Sequence, residues 1–127
     1  MRKAIRSEQA PTPKGPYSPA MVASGPTVYV SAQGPTDPAT GQPRPGDFAA
    51  QARQVFDNVG ALLAAAGTSW ANAVKVTVYL ADFADFAAMN EVYQHYVNEP
   101  YPARTTVHSK IGQNVIAVDC IAVIDEA

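Results

Sequence analysis

From Ala73 to Leu80 the chain alternates residue by residue, with Val74, Val76, Val78 and Leu80 on one side and Lys75, Thr77 and Tyr79 on the other. A period of two predicts a strand with one face on a core. Val115 to Ile124 is instead an almost unbroken Val- and Ile-rich run, the pattern of a strand covered on both faces. Between Phe48 and Ala66 the apolar residues Phe48, Ala52, Val55, Phe56, Val59, Leu62, Leu63 and Ala66 recur at helical spacing. Asp47 is the expected N-cap of that helix and Gly67 its stop. A second helix is predicted after Asp82, with Phe83, Phe86, Ala87, Asn90, Tyr93, Tyr96 and Val97 on its apolar side.

Nine of the eleven prolines lie in residues 1–46, which forbids a long helix there and leaves short strands between turns. Lys3 to Ser7 fits an edge strand, and Ala20 to Ser24 and Thr27 to Ser31 fit two strands joined at Gly25-Pro26. Asp37 to Gly41 is turn chemistry. The order strands, helix, strand, helix, strands predicts one α+β domain spanning residues 1–127, with two helices on one face of a mixed sheet. Two helices leave the other face bare, so self-association is expected.

Two opposite charges interrupt the strand-like sequence. Arg104 opens Ala103 to His108, and Asp119 breaks the Val115 to Ile124 run. A buried carboxylate either becomes neutral or finds a cation, and Arg104 is the candidate partner. The pair is therefore either a structural ion pair or a small anion site, a guanidinium fork beside an acid with an available proton. Tyr17, between two prolines and after Gly15-Pro16, is either an aromatic lid or a ligand contact. Ser31 ends its strand, where a hydroxyl either caps backbone or lines a site. Asn90, inside an apolar stripe, either ties down a backbone loop or faces a polar pocket, and the pattern alone leans to the tie.

Composition narrows the chemistry. The net charge is −2 and the pI near 5.5, and the nine Lys and Arg are scattered, so no basic stripe exists to neutralise phosphates and nucleic acid is not expected as a partner. The one cysteine, Cys120, falls within an apolar strand, which removes disulfides and Cys-based metal sites. His95 and His108 lack partners at metal-ligand spacing, so no metal is expected. No apolar stretch follows the basic N-terminal residues and none reaches membrane-spanning length, so a soluble cytoplasmic protein without membrane contact is expected. Phosphate loops, the Gly-x-Ser-x-Gly elbow and His-Glu-x-x-His are all missing, and no cofactor is called for.

Taken together, Gly15-Pro16-Tyr17, the segment Val30 to Gly34, Asp37 to Gly41, Gln51 to Val59, Val74 to Leu80, Met89-Asn90 and Pro102-Ala103-Arg104 resemble the RidA (YjgF, or L-PSP endoribonuclease-like) family in order and spacing along almost the whole chain. The resemblance implies a chorismate-mutase-like homotrimer with sheets inward, helices outward and three inter-subunit clefts. It further implies an enamine/imine deaminase that hydrolyses small 2-imino acids such as 2-aminoacrylate and iminopropionate to 2-oxo acids and ammonia. By the same resemblance Arg104 matches the substrate-carboxylate arginine, Tyr17 and Ser31 are cleft residues, Asn90 is the helix asparagine near the site, and the Ala32 amide helps hold the ligand. Asp119 stands where the deaminases carry glutamate, and Thr106 where they often carry cysteine. The shorter acid is compatible with weak or altered activity. Alternatives are a non-catalytic trimer that binds small carboxylates, and a pathway-specific deaminase of the 2-aminomuconate type.

Overall fold

A computed structural model describes residues 1–125 of the chain. Strand β1 (Arg2–Ile5) pairs antiparallel with β2 (Ala20–Ala23), and β3 (Thr27–Gln33) opens the main sheet. A small ribbon, β4 (Thr36–Asp37) and β5 (Gln42–Pro43), leads into helix α1 (Phe48–Ala65). Strand β6 (Ala73–Leu80), helix α2 (Phe86–Tyr93), β7 (Ala103–His108) and β8 (Ile116–Val123) complete the order. The main sheet runs β3-β8-β6-β7, with β6 and β7 parallel and the other pairs antiparallel. Two helices and a mixed sheet make this an α+β fold.

Local chemistry sets the element ends. The Asp47 carboxylate accepts from the Ala50 amide at 2.9 Å and starts α1. Gly67, at φ +91°, ends it as the Thr68 amide returns to the Leu63 carbonyl. The Asp37 carboxylate takes the Ala39 amide and Gly41 sits at φ +71°, which closes the turn between β4 and β5.

One junction gains a partner assignment that the sequence pattern leaves open, and two elements differ from that pattern. Gly25-Pro26 is not a hairpin turn: β2 pairs with β1 and β3 with β8, so the two residues form a corner between sheets. Gly25 is at φ +117° and the Pro26 carbonyl receives the Ile124 amide. In β6, a register shift between Ala73 and Lys75 turns Ala73 rather than Val74 into the core. Residues Phe83–Asp85 form a 3-10 turn before α2, capped by Asp82, and this changes the helical phase. Phe83 and Ala87 are consequently exposed, while Met89 and Val92 are buried.

The core lies between α1, α2 and one face of the sheet. Phe56 is its hub, fully buried, with its ring centroid 5.5 Å from Trp70, 5.8 Å from Tyr93 and 5.2 Å from Tyr96. The Trp70 indole N–H donates to the Phe56 carbonyl at 3.2 Å, so its polar edge is satisfied. Strand alternation sends Val76, Val78, Val118 and Cys120 into this layer and puts Tyr29, Thr77, Tyr79, Asp119 and Ile121 on the opposite face, which no helix covers. Tyr29 is 74% exposed there. Among the described residues no helix is long and apolar enough to cross a membrane.

Truncating the hub removes three aromatic contacts and leaves a cavity between both helices and the sheet. Phe56→Ala is expected to lower unfolding free energy by about 3–5 kcal/mol, measured by urea denaturation with an unchanged denaturant slope.

Candidate active site

Arg104 sits at the start of edge strand β7, directly opposite Val76, and shares its core-facing side. There its guanidinium is enclosed by aromatic rings, with its carbon 4.9 Å from the Tyr93 centroid, 5.6 Å from Tyr17 and 5.8 Å from Phe86. Asn90 Oδ1 accepts from Arg104 Nη1 at 2.7 Å. On α2, Phe86, Asn90 and Tyr93 follow one another by four and three residues, so one helical stripe supplies two walls of the cage and its hydrogen bond. Tyr17 arrives from the proline-rich loop. That loop is pinned beside β7 by the Ser18 amide on the Pro102 carbonyl at 3.0 Å and by the Ser18 hydroxyl on the Tyr101 carbonyl. A Cβ added at Gly15 would lie 3.7 Å from Arg104 Nη2, so the loop backbone closes against the guanidinium.

This cation has no carboxylate partner among the described residues. Burial lowers its pKa from the ordinary arginine value, opposed by Tyr93 and then Tyr17. Ring faces and one neutral amide do not balance a full charge, and donors beyond the one given to Asn90 remain for a ligand. Two hydroxyls nearby, Tyr93 Oη and Thr106 Oγ1, are buried without a hydrogen-bond partner among the described residues. Thr106 lies two residues along β7 from Arg104, opposite Val78, on the same core-facing side.

Asp119 lies elsewhere. It is opposite Thr77 on β6, one residue out of phase with the Val76–Arg104 row, and therefore on the uncovered face of the sheet. It is half-buried, and Tyr79 Oη donates to its Oδ2 at 2.8 Å. The expected ion pair between Arg104 and Asp119 is thus absent within one chain, because strand alternation directs the two side chains to opposite faces. Asn90 also departs from the lean of its pattern: its amide oxygen binds Arg104 rather than tying down a backbone loop.

Ser31 and Ala32 are exposed and together face the single residue Asp119, since Val30 pairs with Cys120 and Gln33 with Val118. This is a β-bulge, which takes backbone groups out of the ladder at the edge of the sheet. The sequence-predicted site residues therefore form two groups. Arg104, Tyr17, Asn90 and Thr106 cluster at the β7 edge, whereas Ser31, Ala32 and Asp119 cluster towards the β3 edge. The outer strands are three spacings apart, about 14 Å. Phe86 and Tyr93, walls of the arginine cage, were legible as helix-stripe residues but carried no functional signal. Their spacing to Asn90 was the available clue. Among the described residues no group of His, Cys, Asp and Glu is placed to hold a metal.

The class defined by fold and site is an α+β protein whose sheet edge carries an aromatic-caged arginine without a counter-charge among the described residues. The family model described as Endoribonuclease L-PSP matches residues 7–124. A RutC family protein of Pyrococcus horikoshii is 47% identical over 96% of this chain and 98% of its own. The Bos taurus protein named 2-iminobutanoate/2-iminopropanoate deaminase is 45% identical over 82% of this chain and 75% of its own. The crystal structure of RidA from Psychrobacter sp. PAMC 21119 superposes with a TM-score of 0.74 at 43% identity, covering 96% of this chain and 99% of that one. E. coli TdcF with bound serine superposes at 0.72 and 36% identity, covering 97% and 99%. The chain belongs to the RidA (YjgF, L-PSP) family.

The core layer behind the site has a pH signature. Burial, and secondarily the charge of Asp119, pushes the Cys120 thiol from 9.0 up to about 12. Burial also raises the Tyr93 phenol, opposed by Arg104. Both groups are neutral in the fold and ionise earlier in the unfolded chain, so the unfolded state releases protons first and stability falls as pH rises from about 9 towards 12. Denaturant unfolding between pH 8 and 10.5 is expected to show this decline. Cys120→Ala should remove up to about 1.4 kcal/mol per pH unit of its slope, and a slope identical to wild type would show that the thiol ionises no later in the fold.

Proposed function

We propose that the protein is an enamine/imine deaminase acting on small 2-imino acids, and that it works as a homotrimer with clefts between subunits. The observation that carries this is the half-buried Arg104, caged by Tyr17, Phe86 and Tyr93 and lacking a counter-charge among the described residues. A cation so placed binds a small carboxylate, which restores the balance that burial removes. Relatives named 2-iminobutanoate/2-iminopropanoate deaminase, and a relative solved with bound serine, fit a ligand with one α-carboxylate.

The division of the site supports the oligomer. Arg104 sits on one outer strand and the Ser31–Ala32 bulge on the other, so a second copy set against the β7 edge can bring its own bulge and Asp119 to the arginine. The uncovered face, with Tyr29, Tyr79, Val107 and Ile121, supplies apolar area for such a contact.

In the proposed reaction Arg104 holds the carboxylate and the C=N carbon faces the neighbour's acid. Asp119 takes a proton from water as its oxygen adds to that carbon, giving a carbinolamine. Proton return to nitrogen and collapse of the carbinolamine release ammonia and leave a 2-oxo acid. An enamine is first protonated at carbon by the same acid. The intermediates are reactive, so orientation and one proton relay suffice. An RNA substrate is disfavoured, since the chain carries a net charge of −2 and its basic residues are scattered.

Iminopropionate generated by an amino-acid oxidase is expected to release ammonia faster with the protein than without it. Arg104→Ala and Asp119→Ala should each lose about 100-fold or more. Co-refolding the two inactive variants should restore activity in about a quarter of the clefts, and analytical ultracentrifugation should give three times the 13.4 kDa chain mass. Decay equal to the protein-free control would leave a carboxylate binder without catalysis. Failure of the mixed variants to recover would place both groups in one subunit.

A further inference from the structure

Tyr79 lies on β6 two residues beyond Thr77, the residue directly opposite Asp119. Its own cross-strand partner is Ala117, whose small side chain leaves the phenol free to lie diagonally across β8. There its hydroxyl donates to Asp119 Oδ2 at 2.8 Å. This is the one side-chain hydrogen bond made by the Asp119 carboxylate among the described residues. The phenol keeps its proton, because donation to Asp119, then burial, then the Asp119 charge all raise its pKa.

We propose that Tyr79 is a positioning residue for catalysis: by occupying Oδ2 it fixes the rotation of the Asp119 carboxylate and leaves Oδ1 facing the attacking water. This rests on the deaminase role given to Asp119. An aspartate carboxylate rotates in a broad, roughly two-fold torsional well, so side-chain geometry alone does not fix which oxygen meets water. The short side chain also holds the carboxylate close to the sheet, within reach of the phenol on the neighbouring strand. A displacement of about 1 Å costs on the order of 100-fold in a water-addition step, so a donor that holds one oxygen has a large effect on rate. Phenylalanine would preserve the ring packing on the sheet and remove the tether alone.

The test uses full-length Tyr79→Phe with enzymatically generated iminopropionate, alongside thermal midpoint and oligomeric mass. The expected result is a fall in kcat on the order of 10-fold with KM within about twofold. In the Asp119→Asn background the same change should cost nothing further, since the two residues act as one unit. An unchanged kcat in Tyr79→Phe, or the same factor lost in both backgrounds, overturns the tether and leaves the deaminase reading intact. Wild-type ammonia release at background overturns both. If Tyr79→Phe alters oligomeric mass, Tyr79→Met, which keeps apolar bulk and has no N–H or O–H donor, becomes the deciding variant: wild-type mass with lowered kcat supports the hydroxyl tether, and wild-type mass with full kcat contradicts it.

Discussion

A guanidinium held among three aromatic rings, with one amide oxygen and, among the described residues, no carboxylate, is the constraint from which the rest of the site follows. Rings 4.9 to 5.8 Å from the Arg104 carbon stabilise the charge by only about 0.5–2 kcal/mol each. Partial burial removes water that would otherwise solvate it. An arginine paired with Asp119 would have been a closed structural element. Left open, it favours any small anion whose shape fits the fork.

Sheet geometry explains why the pairing does not occur. Arg104 falls in register with Val76 and Asp119 with Thr77, and consecutive strand residues point to opposite faces. No side-chain rotation within one chain overcomes that alternation. The β-bulge at Ser31 and Ala32 then collects exposed backbone groups beside Asp119, at the end of the sheet away from β7. This division of the polar groups, together with Tyr29 74% exposed on an uncovered face, is what the proposed homotrimer draws on.

Much of this was legible in the residues. The alternation of Val76, Val78 and Leu80 marked β6, and Asp47 with Gly67 marked the ends of α1, because both signals act within a few residues of the chain. Arg104 and Asp119 stood out because charge within a strand run is rare. Their separation was not legible, since register and face depend on which strands pair, a long-range outcome that periodicity does not encode. Gly25-Pro26 was legible as the junction of two strands, but a turn signal does not say which strand comes next in the sheet, so the pairing of β2 with β1 and of β3 with β8 was not. The cage itself was half visible. Phe86, Asn90 and Tyr93 lay on one stripe, but that this stripe faced Arg104 required the crossover from β6 through α2 to β7.

The central claim is that the caged arginine and the acid of a neighbouring copy meet across one bound molecule. A crystal structure of the protein grown with pyruvate, an inert 2-oxo acid product, tests this most directly. It should show the ligand carboxylate on the Arg104 guanidinium of one subunit and its carbonyl end beside the Ser31–Ala32 bulge and Asp119 of the next. Pyruvate bound away from Arg104, or Arg104 and Asp119 meeting the ligand from the same chain, would contradict it.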